Sequence, residues 1–259
     1  MNKIPITKPL SSISYGDIFL LGDHILACGD STDSLLIEKL CSEKKVKAIV
    51  TDPPYGVNYV ENKAWQPSVQ EHKDIYNDDI ETPEEYLKFS ESWLKQITPF
   101  LDKKNSVYIF NSDKMILPLC EAMRNLKYKF SQLLIWVKTG SVLGRLDYNP
   151  QHELIIYGWY GTHTFMRSKD KSVLVCPKPN KNGIHPTMKP ISLLRRLILN
   201  STRIGDYVYD PFGGSGSTLI SCEHTKRKCL TIELDSEYCK AIINRYSKLS
   251  GNSNIYKLT

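Results

Sequence analysis

Two short stretches of this chain set chemically capable residues directly after runs that read as buried strands. The first is Asp52-Pro53-Pro54-Tyr55, which follows Ala48-Ile49-Val50-Thr51. Consecutive prolines fix their own φ angles and remove two backbone donors, so the turn is rigid and presents carbonyls and flanking side chains. An amino group conjugated to an aromatic ring is a poor nucleophile, because its lone pair is delocalised. A carboxylate and a backbone carbonyl, here those of Asp52 and Pro53, can hold both amino hydrogens out of the ring plane. The nitrogen then pyramidalises and its lone pair can point at an electrophile. Tyr55 is placed to stack on the ring. Without that chemistry, the same residues form a rigid strand-end turn with a surface carboxylate.

The second stretch follows Tyr207-Val208-Tyr209 and reads Asp210-Pro211-Phe212-Gly213-Gly214-Ser215-Gly216-Ser217-Thr218, with a helix expected from Leu219. Glycines let a backbone approach a ligand closely, and a helix amino end favours a negative group such as a carboxylate. The next strand, Leu230-Thr231-Ile232, ends in Glu233 and Asp235, where an acid can bind ribose hydroxyls. The loop lacks the third glycine of GxGxxG and opens on an aspartate and a proline. Those departures disfavour a dinucleotide and favour a smaller nucleoside.

Strand-like runs at Ile25–Gly29, Lys47–Thr51, Ser106–Phe110, Gln132–Val137, Glu153–Tyr157, Asp206–Asp210 and Lys228–Ile232 must position these residues. Helix-period stretches at Asp33–Lys44, Glu84–Thr98, Leu193–Asn200 and Glu237–Leu249 lie between them. Thr82, followed by Pro83, Glu84 and Glu85, is a helix start with an N-cap, a first-turn proline and a capping-box acid. The alternation predicts an α/β fold with a doubly wound, mostly parallel sheet, in which ligands sit beyond the carboxyl ends of the strands. Three irregular stretches interrupt it: Tyr59–Ile80 around Trp65, Lys138–Gln151, and Gly158–Gly183, the last read as a short hairpin and a Pro/Lys/Asn loop. No linker or repeat divides the chain, so residues 1–259 are expected to form a single domain.

The 259 residues carry a formal charge of +6, which suits a phosphate-bearing partner but suits many other basic proteins as well. Seven cysteines, with no CxxC pair among them, argue for reduced thiols rather than a disulfide framework or a zinc knuckle. No metal site is expected. The sequence shows neither a signal-peptide pattern nor an apolar run long enough for a membrane span, which predicts a cytoplasmic protein.

DPPY after one strand and DPFGGSGST after another resemble the DNA amino-methyltransferases, and the order of the two motifs resembles their permuted β class. Further stretches match that family's pattern: Cys28-Gly29-Asp30-Ser31-Thr32-Asp33, Ile135-Trp136-Val137-Lys138, Gly144-Arg145-Leu146-Asp147-Tyr148, Gln151-His152-Glu153, His185-Pro186-Thr187-Met188-Lys189-Pro190, and Glu233-Leu234-Asp235 through to Arg245. The likeness runs from about residue 15 to 251 and is closest to compact phage and prophage adenine methylases.

This resemblance implies a circularly permuted, Rossmann-like methyltransferase fold and S-adenosylmethionine as cofactor. Asp210, Phe212, Gly213, Gly214, Gly216, Ser217 and Thr218 would wrap the methionine part, with Glu233 on the ribose and Asp30 near the adenine edge. The segment holding Thr187 and Lys189 would bring the lysine to the methionine carboxylate, while Asp52 and Pro53 border both cofactor and target. Phe212 fits a core position equally well, and His152 with Glu153 fits strand-entry packing. The implied reaction is methylation of the adenine N6 amino group in double-stranded DNA by Asp52, Pro53, Pro54 and Tyr55. N4-cytosine methylation and a silent DNA-binding subunit are the alternatives. A target-recognition segment is expected at about 158–183, with Arg167, Lys169 and Lys171 on DNA. A homodimer and a cognate restriction endonuclease are the further partners considered.

Overall fold

The computed structural model describes residues 2–6, 12–54, 80, 82–140, 147–167, 170–177, 188–251 and 254–259. Along the chain these form β1 (Lys3–Pro5), β2 (Ile18–Leu21), β3 (His24–Cys28), α1 (Ser34–Cys41), β4 (Val46–Thr51), α2 (Pro83–Ile97), β5 (Leu101–Asn111) and α3 (Ile116–Asn125). They continue as β6 (Tyr128–Val137), β7 (His152–Tyr160), β8 (Val173–Val175), α4 (Ile191–Ser201), β9 (Tyr207–Asp210), α5 (Ser217–Thr225), β10 (Lys228–Glu233), α6 (Ser236–Ser250) and β11 (Ile255–Leu258). Each run read as a strand is one, and each helix-period stretch is a helix. The start of α2 is as expected: the Thr82 hydroxyl and the Glu85 carboxylate cap each other's backbone, with Pro83 in the first turn. At α1, the Asp33 side chain accepts from the amides of Leu35 and Leu36.

The strands form one sheet in the order β1-β11-β2-β3-β10-β9-β4-β5-β7-β6-β8. Its centre, β3-β10-β9-β4-β5, is parallel throughout. Neighbouring residues of these strands point to opposite faces, and each face is covered by its own helices. Ala48, Val50, Tyr108, Phe110 and Val208 pack with Leu197 of α4, Leu219 of α5 and Ile242 of α6. Ile49, Val107, Ile109, Tyr209 and Leu230 pack with Ile37 of α1, Trp93 of α2 and Leu119 of α3. Burying a large apolar side chain in this way contributes about 1.5–3 kcal/mol, and the two layers together hold the central strand ends rigid. No helix among the described residues is long and apolar enough to cross a membrane.

The edges hold what the sequence pattern did not announce. β1, β2 and β11 form an antiparallel flank. Among the described residues of Gly158–Gly183 the expected hairpin is not formed. β7 is already paired on both sides, antiparallel to β5 and to β6, so it has no free edge for a returning strand. The chain instead passes beyond β6, where β8 pairs parallel to it.

Gly158 is buried within β7, opposite Phe130 of β6. A Cβ there would lie 2.1 Å from the Lys129 carbonyl oxygen, a backbone atom that cannot rotate away. Gly158→Ala should therefore destabilise the fold by about 1–3 kcal/mol, measured as a lowered denaturant midpoint with unchanged slope.

Candidate active site

Because β3, β10, β9, β4 and β5 are parallel, their carboxyl ends share one edge of the sheet. Along that edge stand Asp30 just past β3, Glu233 ending β10, Asp210 ending β9, Asp52 just past β4 and Asn111 ending β5. β7 runs the opposite way, so its amino end reaches the same edge. There Glu153 lies opposite Trp136 of β6, and Lys138 follows that strand. After β4 the chain goes to α2 on one face of the sheet, and after β9 to α5 on the other. Such a divergence of neighbouring strands opens a ligand crevice between their ends.

Asp210 braces that crevice from below. It is buried, and its Oδ1 accepts from the Thr51 hydroxyl at 2.7 Å and from the Phe212 amide at 3.2 Å. The carboxylate thus ties β9 to β4 and shapes the glycine loop. Gly216 takes φ +75° immediately before α5, where a Cβ would meet the Ile242 side chain at 3.1 Å. Both the backbone and the packing of α6 require glycine here. Arg245 of α6 supports the same loop by donating to the Ser215 carbonyl oxygen at 2.8 Å. No side chain caps the amino end of α5. Phe212 is half-buried, with its ring against Phe89 and, edge-on, Trp93.

Glu233 accepts from the amide of Gly214 at 2.6 Å and from that of Asp235 at 2.9 Å. Asp30 accepts from the Thr32 amide and hydroxyl, which fixes its side chain in a turn. An uncapped helix amino end and two oriented carboxylates on adjacent strands suit a nucleoside with an anionic tail. Burial pushes Asp210 up to about 7, against the hydrogen bonds it accepts. It pushes Glu233 up to about 7 as well, against the amides of Asp235 and Gly214.

The second half of the crevice is a chain of opposite charges. Lys189, buried at the entry to α4, places its ammonium on Oδ2 of Asp52 and 3.2 Å from Oε2 of Glu153. Lys138, also buried, reaches Oε1 of Glu153 at 2.8 Å. Burial lifts the Asp52 carboxyl above the ordinary range; Lys189 opposes the lift and Glu153 adds to it. For Glu153 burial acts upward too, but Lys189 and Lys138 outweigh it and hold the carboxyl low. Asp52 Oδ1 is buried and has no hydrogen-bond partner among the described residues.

Pro53 is buried and Pro54 half-buried beside Asp52, as a rigid turn requires. Lys189, expected at the cofactor, has its ammonium on the half-buried carboxylates of Asp52 and Glu153. In the sequence Glu153 fits strand-entry packing and Lys138 opens an irregular stretch, so neither is expected in the site. Their signal was a charge at each end of an apolar run, in WVK and QHE. Arg167 and Lys171 are exposed on the connection from β7 to β8. Asp170 anchors that connection through Arg196 and Asn200 of α4. Tyr55, Lys169, Thr187 and nearly all of the Trp65 stretch lie outside the described residues. No group of three or more metal-ligating side chains occurs among the described residues.

A family model described as DNA methylase, of the N6/N4 type, matches residues 46–172 and 162–245. The chain belongs to this DNA methylase family. It is 28% identical over 262 residues to the Type II methyltransferase M.HpaI of Haemophilus parainfluenzae, covering 90% of this chain and 77% of that protein. To M.HinfI of Haemophilus influenzae it is 27% identical, covering 89% and 70%. Among solved structures, the complex of M1.HpyAVI with SAM superposes with a TM-score of 0.65 at 22% identity, over 85% of this chain and 97% of the other. The cytosine-N4-specific PvuII DNA methyltransferase superposes with 0.67 at 17% identity, over 89% and 91%. The fold is therefore that of the DNA methyltransferases, and the DNA methylase is an enzyme acting on exocyclic amino groups.

The buried carboxyls make stability depend on pH. Asp210 and Glu233 have ordinary values of 3.8 and 4.5 and stand at about 7 in the fold. Between those limits the folded protein holds more protons than the unfolded chain, so stability falls as pH rises. Asp52, raised too, acts in the same sense, whereas His163, lowered by burial and Lys129, opposes it near pH 6.5. Asp170, held at about 2 chiefly by Arg196, contributes only below its ordinary value of 3.8. The melting temperature of the ligand-free methylase should decline between about pH 4.5 and 7. A rising or flat profile by calorimetry would contradict this assignment.

Proposed function

We propose that this methylase transfers a methyl group from S-adenosylmethionine to the N6 amino group of adenine in double-stranded DNA, with Asp52 and the Pro53 carbonyl engaging the amino hydrogens. The observation that carries this reading is the divided state of the Asp52 carboxylate. Oδ2 is occupied by Lys189, while Oδ1 is buried and has no hydrogen-bond partner among the described residues. A buried acceptor without a donor is costly, and a base amino group entering the crevice supplies that donor.

S-adenosylmethionine supplies, when bound, a methyl group on a sulfonium with a good leaving group. Gly213, Gly214, Gly216, Ser217 and Thr218 at the head of α5 are assigned its methionine part, Glu233 the ribose hydroxyls and Asp30 the adenine edge. Asp52 Oδ1 takes one amino hydrogen of the target and the Pro53 oxygen the other, which turns the nitrogen lone pair toward the glycine loop. The proton released from nitrogen as its new bond forms passes to Asp52. Tyr55 is assigned the face of the extruded base, where stacking is worth about 1–3 kcal/mol against the few kcal/mol needed for extrusion. The rate gain comes mainly from holding the two reactants in line. An aspartate before Pro53-Pro54, where cytosine-type relatives carry serine, favours adenine over cytosine.

Asp52→Ala should abolish methyl transfer to duplex DNA while leaving cofactor affinity within a few-fold, because the cofactor's main contacts lie on β9, α5 and β10. Labelled-methyl incubation with nucleoside analysis reads both activity and base. N4-methylcytosine as the product would replace the adenine assignment, and near-normal turnover would remove Asp52 from the chemistry.

The connection on which Arg167 and Lys171 are exposed is assigned to DNA, together with Lys169. Lysines that neutralise phosphates raise affinity for every sequence alike and make it salt-dependent. Replacing Lys169 and Lys171 by alanine should weaken binding to all duplexes equally and flatten the log–log salt dependence by about 0.9 for each phosphate no longer neutralised. An unchanged slope would move the DNA surface elsewhere.

A further inference from the structure

Four charged side chains form a continuous line at the sheet edge, in the order Lys138, Glu153, Lys189 and Asp52. Both lysines are buried, and the side chain of Glu153 is only 21% exposed. Such a line is not explained by stability. Withdrawing several ions from water is costly, and apolar residues of the same size commonly serve a fold as well or better.

The surroundings hold the line in place. The Lys189 ammonium sits 5.2 Å from the Phe110 ring centroid, and that of Lys138 sits 5.4 Å from the Trp136 ring centroid. The Trp136 indole is itself fixed by donating to the Cys176 carbonyl oxygen at 2.8 Å. Glu153 divides its two oxygens, giving Oε1 to Lys138 and Oε2 to Lys189. Lys189 thus has a second carboxylate besides Asp52, which restrains where along the edge its ammonium rests.

We propose that Glu153, held by Lys138, is a positioning residue for methyl transfer: it sets Lys189 against Oδ2 of Asp52, so that Oδ1 alone faces the target amino group. This rests on Asp52 being the group that engages that amino group. Glu153 and Lys138 touch neither substrate nor cofactor and act through Lys189. Among the described residues, the charged and titratable groups around Asp52 are Lys189 from the entry to α4, Glu153 from β7, Lys138 after β6, Asp210 from β9 and Tyr86 of α2. Of these, the lysines favour the ionised carboxylate.

The two roles open to Glu153 move the pH profile in opposite directions. If Glu153 acts only as a nearby negative charge, removing it makes Asp52 easier to ionise, and the acid limb of kcat moves to lower pH. If Glu153 positions Lys189, removing it lets the ammonium leave Oδ2, and the acid limb moves to higher pH. Loss of an opposite charge at this range is worth about one pH unit or more.

The experiment measures kcat, KM for duplex DNA, cofactor affinity and the kcat–pH profile for the full-length wild type and for Glu153→Ala, Glu153→Gln and Asp52→Asn. The expected result for Glu153→Ala is a kcat lower by about 10- to 100-fold, an acid limb shifted upward, and KM and cofactor affinity nearly unchanged. Glu153→Gln keeps an acceptor for Lys189 and should recover much of the lost kcat. A Glu153→Ala enzyme with normal kcat, or with its acid limb moved downward, would overturn the proposal. Should Glu153→Ala fail to fold by circular dichroism, Glu153→Asp gives the same test, since it keeps the negative charge but draws it back from Lys189: an upward shift supports the proposal and an unchanged profile overturns it. An inactive Asp52→Asn beside a normal Glu153→Ala would sink the positioning role alone. An active Asp52→Asn would sink the assignment of Asp52 as well.

Discussion

The parallel pairing of β4 with β9 is the constraint on which the rest of the molecule depends. Parallel neighbours end at the same edge, so pairing Ile49 with Tyr209 places the Asp52 turn beside the loop that begins at Asp210. The Thr51–Asp210 hydrogen bond then couples the two turns directly. Because the chain leaves β4 for one face of the sheet and β9 for the other, the space between the ends stays open. The rigid acceptor turn and the glycine loop are adjacent for this geometrical reason, although their residues are far apart in sequence.

Charge collects along this edge at a cost. Asp210 and Glu233 are buried deeply enough to stand near neutrality at about 7. Asp52 keeps one oxygen without a hydrogen-bond partner among the described residues. A ligand offering hydroxyls, an amino group and an anionic tail supplies donors where the fold has left acceptors, and an anion for the uncapped head of α5. The apolar layers on both faces of the sheet make that arrangement tolerable by holding the strand ends still. The glycine loop is kept in shape in the same way: Ile242 packs beneath Gly216, and Arg245 grips the Ser215 carbonyl.

Much of this was legible in the sequence because it is encoded locally. Short apolar, β-branched runs mark the central strands, and Thr82-Pro83-Glu84-Glu85 marks the start of α2. The flanking strands were missed because they are short: β1 and β8 span three residues each, too few for a period to emerge. The expected hairpin failed for a different reason, since nothing local reveals that β7 has both of its edges filled.

The sequence by itself determined the chemistry of each turn. Two prolines after an aspartate make a rigid acceptor, and glycines before a helix make a loop that receives a ligand, wherever the turns lie in space. Only the tertiary structure decided what those turns face. Asp52 and Lys189 stand 137 residues apart, and no periodicity relates them. Glu153 reaches the site because β7 runs antiparallel to β5, and Lys138 because β6 runs antiparallel to β7. Strand direction is settled by the competition among whole sheet arrangements, whereas turn rigidity is settled by covalent geometry, and so the motifs were readable in the chain while their partners were not.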